Sequence, residues 1–132
     1  GFETRLSEAQ IALRDELAEL YEEAALEPPR IADLPERITE DPAFHTLLRG
    51  LESENQLVAL DEEYRIDAAA LVTAVQAVRR ELAGRTGLGP SDFREFIPVS
   101  RRWLLPILAY LDRTGVTRFD GGERSVGSGP DT

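Results

Sequence analysis

The sequence has no cysteine, which excludes disulfides and thiolate zinc sites and suits a reducing compartment. It has no lysine either. All fifteen basic residues are arginine, the planar, bidentate partner of phosphate. The single histidine, His45, has neither a cysteine nor a second histidine with which to share a metal, so a surface or helix-boundary position is expected of it. No run approaches the roughly 18 uninterrupted apolar residues of a membrane span, and no basic-then-apolar leader opens the chain. No Gly-x-x-x-x-Gly-Lys phosphate loop occurs. Glu52, Glu54, Asp61, Glu62 and Glu63 form a charge run that reads as a solvated face rather than an acid–base pair, and no enzyme is expected.

What is present is a strongly acidic chain of 132 residues, 42% apolar, with a net charge of −10. That length suits one ordinary domain or two very small ones. The chain opens on Gly1 rather than methionine and closes on Gly127–Thr132. A piece of a longer protein, with a disordered tail over residues 128–132, is expected.

Leu6-Ser7-Glu8-Ala9-Gln10-Ile11 reads as a complete helix start, with Ser7 and Gln10 as a capping box and Leu6 and Ile11 as a staple. The stripe Leu6, Gln10, Leu13, Leu17, Leu20, Ala24 follows helical spacing until Pro28-Pro29 stops it. A short helix is expected over residues 33–38. Asp41-Pro42 then predicts the start of a third helix with Phe44, Leu47, Leu48 and Leu51 inward. Residues 57–60 and 64–66, around an acidic turn, read as a hairpin. Three helices and a hairpin make a winged helix.

The pattern restarts at Asp67, which caps a helix with the stripe Leu71, Val75, Val78, Leu82. Ser91 is expected to cap a short helix through Phe96, and Ser100 the next one. Val116–Phe119, Asp120-Gly121-Gly122 and Glu123–Val126 form a second hairpin. Landmarks keep a nearly constant offset, from Ser7 to Asp67, Pro29 to Pro90, Asp41 to Ser100 and Leu57 to Val116. The predicted fold is mainly α with small β-hairpins (α+β), as two tandem winged helices over residues 1–66 and 67–127. A module of this size buries only about 60% of its unfolded surface, so the two are expected to pack together. A single helical bundle is the alternative, against which Gly121-Gly122 and the flanking valine and threonine speak.

Duplication supplies an internal control. Residues 7–66 hold 5 arginines and 16 acids, net −11, whereas residues 67–126 hold 9 and 7, net +2. Phosphate binding is driven by local cations, so only the second half is a credible nucleic-acid binder, and the first reads as an acidic spacer. On the helix after Ser100, Leu104, Ile107, Leu108 and Leu111 share a core side, while Arg102, Pro106, Ala109 and Arg113 share the opposite one. The candidate RNA-binding residues are Arg94, Arg101, Arg102, Arg118 and Arg124. Arg113 beside Asp112 reads as structural, and Trp103 as a core or interface filler. Pro106 removes an amide that would bond the carbonyl of Arg102, and a kink is expected there.

Ser100-Arg101-Arg102, Leu104-Leu105-Pro106-Ile107-Leu108, Leu111-Asp112-Arg113, Gly115-Val116-Thr117-Arg118 and Gly122-Glu123-Arg124 together resemble the end of the bacterial selenocysteine-specific elongation factor family, SelB. The resemblance is strongest over residues 91–126 and is architectural over 7–90. It implies the carboxy-terminal arm of a GTPase, whose last winged helix grips the selenocysteine insertion (SECIS) hairpin in messenger RNA to direct selenocysteine to UGA. The family's basic pair falls on Arg101 and Arg102, and its hairpin arginines on Arg118 and Arg124. Phe119 departs from the pattern, since many members carry a second basic residue there. The resemblance further implies GTP and magnesium sites outside this piece, which itself needs no cofactor. Its other implied contacts, the ribosome and selenocysteyl-tRNA, would be made through amino-terminal domains. A cytoplasmic monomer with no membrane partner follows.

A-form RNA has too narrow a major groove for a helix, so a hairpin is read through phosphates and unstacked loop bases, which suits a cluster of arginines on one small module. Five neutralised phosphates give a log–log salt slope of roughly −3.5 to −4.5. Two other classes fit the same residues: a winged-helix DNA-binding regulator entering the major groove, and a protein-interaction module with Trp103 and Tyr110 as anchors.

Overall fold

Ser7 opens α1 (Glu8–Ala24) as expected: its Oγ accepts from the Gln10 amide at 3.1 Å and the Gln10 side chain accepts from the Ser7 amide at 2.9 Å. This is seen in a computed structural model that describes residues 6–127. The expectation of a disordered tail at 128–132 lies outside the described residues. The α1 stripe is turned slightly from the expected line. Leu17 and Tyr21 are fully buried, while Leu13 and Leu20 are only partly so and Ile11 is exposed. Burial pushes the Tyr21 phenol up to about 12.

A 3-10 turn at Ile31–Asp33 and a single-turn α2 (Glu36–Thr39) replace the one short helix expected, because Pro35 divides the segment. Then α3 (Phe44–Ser53) buries Phe44, Leu47, Leu48 and Leu51 as predicted. Asp41 accepts from the Ala43 amide at 2.8 Å, so it turns the chain ahead of the helix rather than capping it directly. The first hairpin pairs β1 (Leu57–Ala59) with β2 (Arg65–Asp67), and Asp67 also caps α4 (Ala68–Glu81) through the Ala70 amide.

Next come α5 (Pro90–Arg94), α6 (Arg101–Thr114), and β3 (Thr117–Asp120) paired with β4 (Glu123–Val126). Two caps differ from expectation. Gly89, not Ser91, precedes α5, with Asp92 accepting from the Gly89 amide. Ser100 sits at the N-cap of α6, but its hydroxyl makes no capping bond. Leu104, Ile107, Leu108 and Leu111 are fully buried, and α6 runs on through Pro106. Gly115 closes it at φ 85°, a left-handed conformation that favours glycine.

The described residues are thus mostly helical, with two small antiparallel hairpins, and the order helix, short helix, helix, hairpin occurs twice. The backbone repeats too. A bridge ties Arg30 to Tyr64 in the first half, and a corresponding one ties Leu88 to Arg124 in the second. Two apolar clusters form. Leu57 joins the one built on α1 and α3, whereas Leu60, Tyr64 and Ile66 join the larger one built on α4 and α6, with Val58 packed against it. Successive strand residues face opposite ways, so the first hairpin feeds both cores. That sharing fastens the two halves to each other.

Candidate nucleic-acid interface

The five candidate arginines divide into two groups. Arg94 at the end of α5, Arg101 in the first turn of α6 and Arg118 on β3 are exposed and make no ion pair or side-chain hydrogen bond among the described residues. Arg102 and Arg124 are engaged.

Arg124 lies against α6. Its Nε donates to Asp112 Oδ1 at 3.0 Å and its Nη2 to Asp112 Oδ2 at 2.8 Å, while Thr117 Oγ1 donates to Asp112 Oδ1 at 2.6 Å. Its side chain keeps only 13% exposure. Burial by itself would raise the Asp112 carboxyl, but the hydrogen bonds from Arg124 and Thr117 outweigh it and hold the group below the usual carboxylate range. Asp112 therefore belongs to Arg124 and not to its neighbour Arg113, whose Nη2 donates to the Leu60 carbonyl at 2.7 Å.

The same clamp stands in the first half. Arg65 Nε donates to Glu52 Oε2 at 2.9 Å, linking the first hairpin to α3 as Arg124 links the second to α6, with the residues about sixty positions apart. An ion pair present in both the acidic and the basic half is a device of the fold. Opposite charges recurring at that offset, Glu52 with Asp112 and Arg65 with Arg124, were the signal in the sequence that could have found it.

Arg102 reaches across the two halves. Its Nε donates to Tyr64 Oη at 3.0 Å, its Nη2 lies 3.8 Å from Asp33, and its guanidinium stacks 4.8 Å from the centre of the Trp103 ring. A hydrogen bond from Arg30 holds the Asp33 carboxyl below its ordinary value, and the charge of Arg102 adds to the effect. Trp103 Nε1 donates to the Pro28 carbonyl at 2.8 Å, an interface role as expected. The strip of α6 expected to lie open is therefore tied to the first half at both ends, through Arg102 and Arg113. Arg102 nonetheless keeps 49% side-chain exposure and its remaining donors.

At 1.5 Å per residue, about 16 Å of helix separates Arg101 from Asp112, beside which the second hairpin is clamped. The three unpaired arginines lie on three separate elements, α5, α6 and β3. Among the described residues no cluster of three or more metal-ligating side chains occurs, and no helix is long and apolar enough to cross a membrane. His45 packs edge-on to Phe44, at a helix boundary as expected.

Residues 80–126 match the family model described as elongation factor SelB, winged helix. This stretch is similar to a SelB winged helix. A selenocysteine-specific elongation factor of Desulfomicrobium baculatum is 28% identical over 127 residues, which are 96% of this chain and 20% of that protein. The chain thus spans about a fifth of the length of that curated relative. Two solved structures share the fold. The mRNA-binding domain of elongation factor SelB from E. coli, in complex with SECIS RNA, superposes with a TM-score of 0.68 at 24% identity, covering 92% of this chain and 99% of that one. A bacterial selenocysteine-specific elongation factor, EF-Sec, gives 0.65 at 16% identity, covering 96% of this chain and 21% of that one. The matched stretch holds all five candidate arginines.

Proposed function

We propose that this chain is the RNA-binding arm of a selenocysteine-specific elongation factor. It consists of two tandem winged helices, residues 1–66 and 67–127, of which the second grips a SECIS hairpin in messenger RNA and the first is an acidic spacer. One observation carries the reading: the SelB-type stretch is where the acids thin out and exposed, unpaired guanidinium groups appear. Arg94, Arg101 and Arg118 meet phosphates directly. Arg102 contributes its outward donors, and Arg124 supports the wing from within. The arm carries no catalytic group and no cofactor. GTP hydrolysis, magnesium, selenocysteyl-tRNA and ribosome contacts belong to the rest of a cytoplasmic factor, which works as a monomer.

The test is titration of a labelled hairpin RNA against duplex DNA of matched length at two salt concentrations. Hairpin binding is expected to be tighter, with a slope of roughly −2 to −3 if only the three unpaired arginines displace counterions, steepening to −3.5 to −4.5 if Arg102 and Arg124 join. Equal or tighter binding to the duplex would establish the DNA-regulator class instead, and binding to neither the protein-interaction class.

A further inference from the structure

Phe119 is an apolar ring held out on the second hairpin with 53% of its surface exposed. Its backbone pairs with Arg124 across the strands, and the Arg124 guanidinium lies 4.5 Å from the ring centre. That guanidinium is fixed in turn by two oxygens of Asp112, which Thr117 also holds. The Arg124 backbone is fixed as well, exchanging amide–carbonyl bonds of 2.9 and 3.0 Å with Leu88. One side of the ring therefore rests on a rigid cationic support.

The fold does not require the ring. In the first half the equivalent clamp, Arg65 with Glu52, forms with Ala59 across the strand from Arg65. One further position differs in the same direction. Val58, on the other face of β1, packs against the larger core, whereas Arg118 beside Phe119 is exposed and unpaired. The second hairpin thus keeps the clamp and adds an exposed aromatic and, at the next position on the opposite face, a cation unpaired among the described residues.

Resting on the reading of this chain as an RNA-hairpin binder, we propose that Phe119 is a stacking platform for one unpaired base of the loop, with Arg118 taking an adjacent phosphate. Any nucleobase offers a π-face to such a ring, and a ring already backed by a clamped guanidinium loses little freedom on contact. Arg124 is then a positioning residue for the platform and not a phosphate ligand.

The experiment uses the 132-residue chain and a pool of RNA hairpins with a fixed stem and randomised loop, from which the unaltered chain selects its ligand. With that hairpin, Phe119→Ala is expected to weaken binding about tenfold while leaving the salt slope unchanged, and Phe119→Trp to retain affinity. Arg118→Ala is expected to reduce the slope by roughly 0.7 to 0.9. Abasic sites walked through the loop should reveal one position whose loss matters to the unaltered chain and not to Phe119→Ala. Binding by Phe119→Ala as tight as that of the unaltered chain, or loss of affinity in Phe119→Trp equal to that in Phe119→Ala, overturns the platform alone. Failure of the unaltered chain to select any hairpin overturns the RNA-binding reading and the platform with it.

Discussion

The two halves of this molecule repeat the same order of elements and the same clamp, and differ in what they do with the arginines left over. In residues 7–66 four of five arginines are in ion pairs, Arg14 with Asp15, Arg30 with Asp33, Arg37 with Glu16 and Arg65 with Glu52. In residues 67–126 three of nine are so paired among the described residues, Arg80 with Glu81, Arg102 with Asp33 and Arg124 with Asp112. Charge totals understate this contrast. Exposed pairs contribute little to stability but cancel the local field, so the first half presents surplus carboxylates while the second presents unmatched guanidinium groups. One second-half arginine, Arg102, is partly matched by the first half itself.

The contrast is broken most sharply by removing charge equally from each side. Replacing Arg94, Arg101 and Arg118 together with alanine is expected to weaken hairpin RNA binding about a thousandfold or more, since each hydrogen bond to a charged group is worth roughly 1.5–3 kcal/mol. Replacing Arg14, Arg37 and Arg49 makes the same change in net charge. Screening over a Debye length of about 8 Å at physiological salt should confine the effect of that second set to within about threefold. Fluorescence anisotropy with a labelled hairpin distinguishes the two outcomes. Comparable losses from both sets would mean that affinity follows total charge and that the local contrast is irrelevant.

The helices, both hairpins and the buried faces of α3 and α6 were legible in the sequence because periodicity and turn residues are local signals. Contacts over long separations were not. Arg102 looked free at Ser100-Arg101-Arg102, yet Tyr64 and Asp33, far earlier in the chain, take part of it. Arg113 looked paired with adjacent Asp112, yet donates to Leu60. Neighbouring residues on a helix diverge by about 100°, so adjacency in sequence says little about pairing. Tyr21 escaped notice because the expected α1 stripe ran one step to its side through Leu20. The Tyr21 hydroxyl, buried and without a hydrogen-bond partner among the described residues, gives no sequence signal at all.

Smaller effects are expected from breaking the clamps, and here the halves should agree. Asp112→Ala leaves the Arg124 charge only 13% exposed and unpaired, and Glu52→Ala does the same to Arg65 at 17%. Breaking a buried pair costs about 3–5 kcal/mol, and residual solvent access reduces that to about 2–3 kcal/mol for each. The pH dependence has a definite sign. A folded-state carboxyl held below its unfolded value contributes stability that is fully present above about pH 4 and lost as pH falls through the depressed value. Urea unfolding followed by Trp103 fluorescence at pH 7 and pH 3 should show unaltered chain and Asp112→Ala converging at the acid end. A gap as wide at pH 3 as at pH 7 would assign the loss to packing.

The smallest effect sharpens the comparison at the two helix starts. Ser7 and Ser100 have almost the same backbone, φ −70° and ψ 165° against φ −71° and ψ 168°, yet only Ser7 bonds the helix amides. The difference lies three residues on. Gln10 reaches back to the Ser7 amide and closes a reciprocal box, whereas Trp103 has no acceptor to offer and its indole N–H is committed to Pro28. Ser7→Ala is therefore expected to cost about 1 kcal/mol, and Ser100→Ala under about 0.5 kcal/mol, in urea midpoints at constant slope. Trp103→Gln restores the box but removes the Pro28 contact, so it should weaken the seam even as it strengthens the cap. A Ser100→Ala cost equal to that of Ser7→Ala would place a capping bond at both helices and erase this difference between the halves.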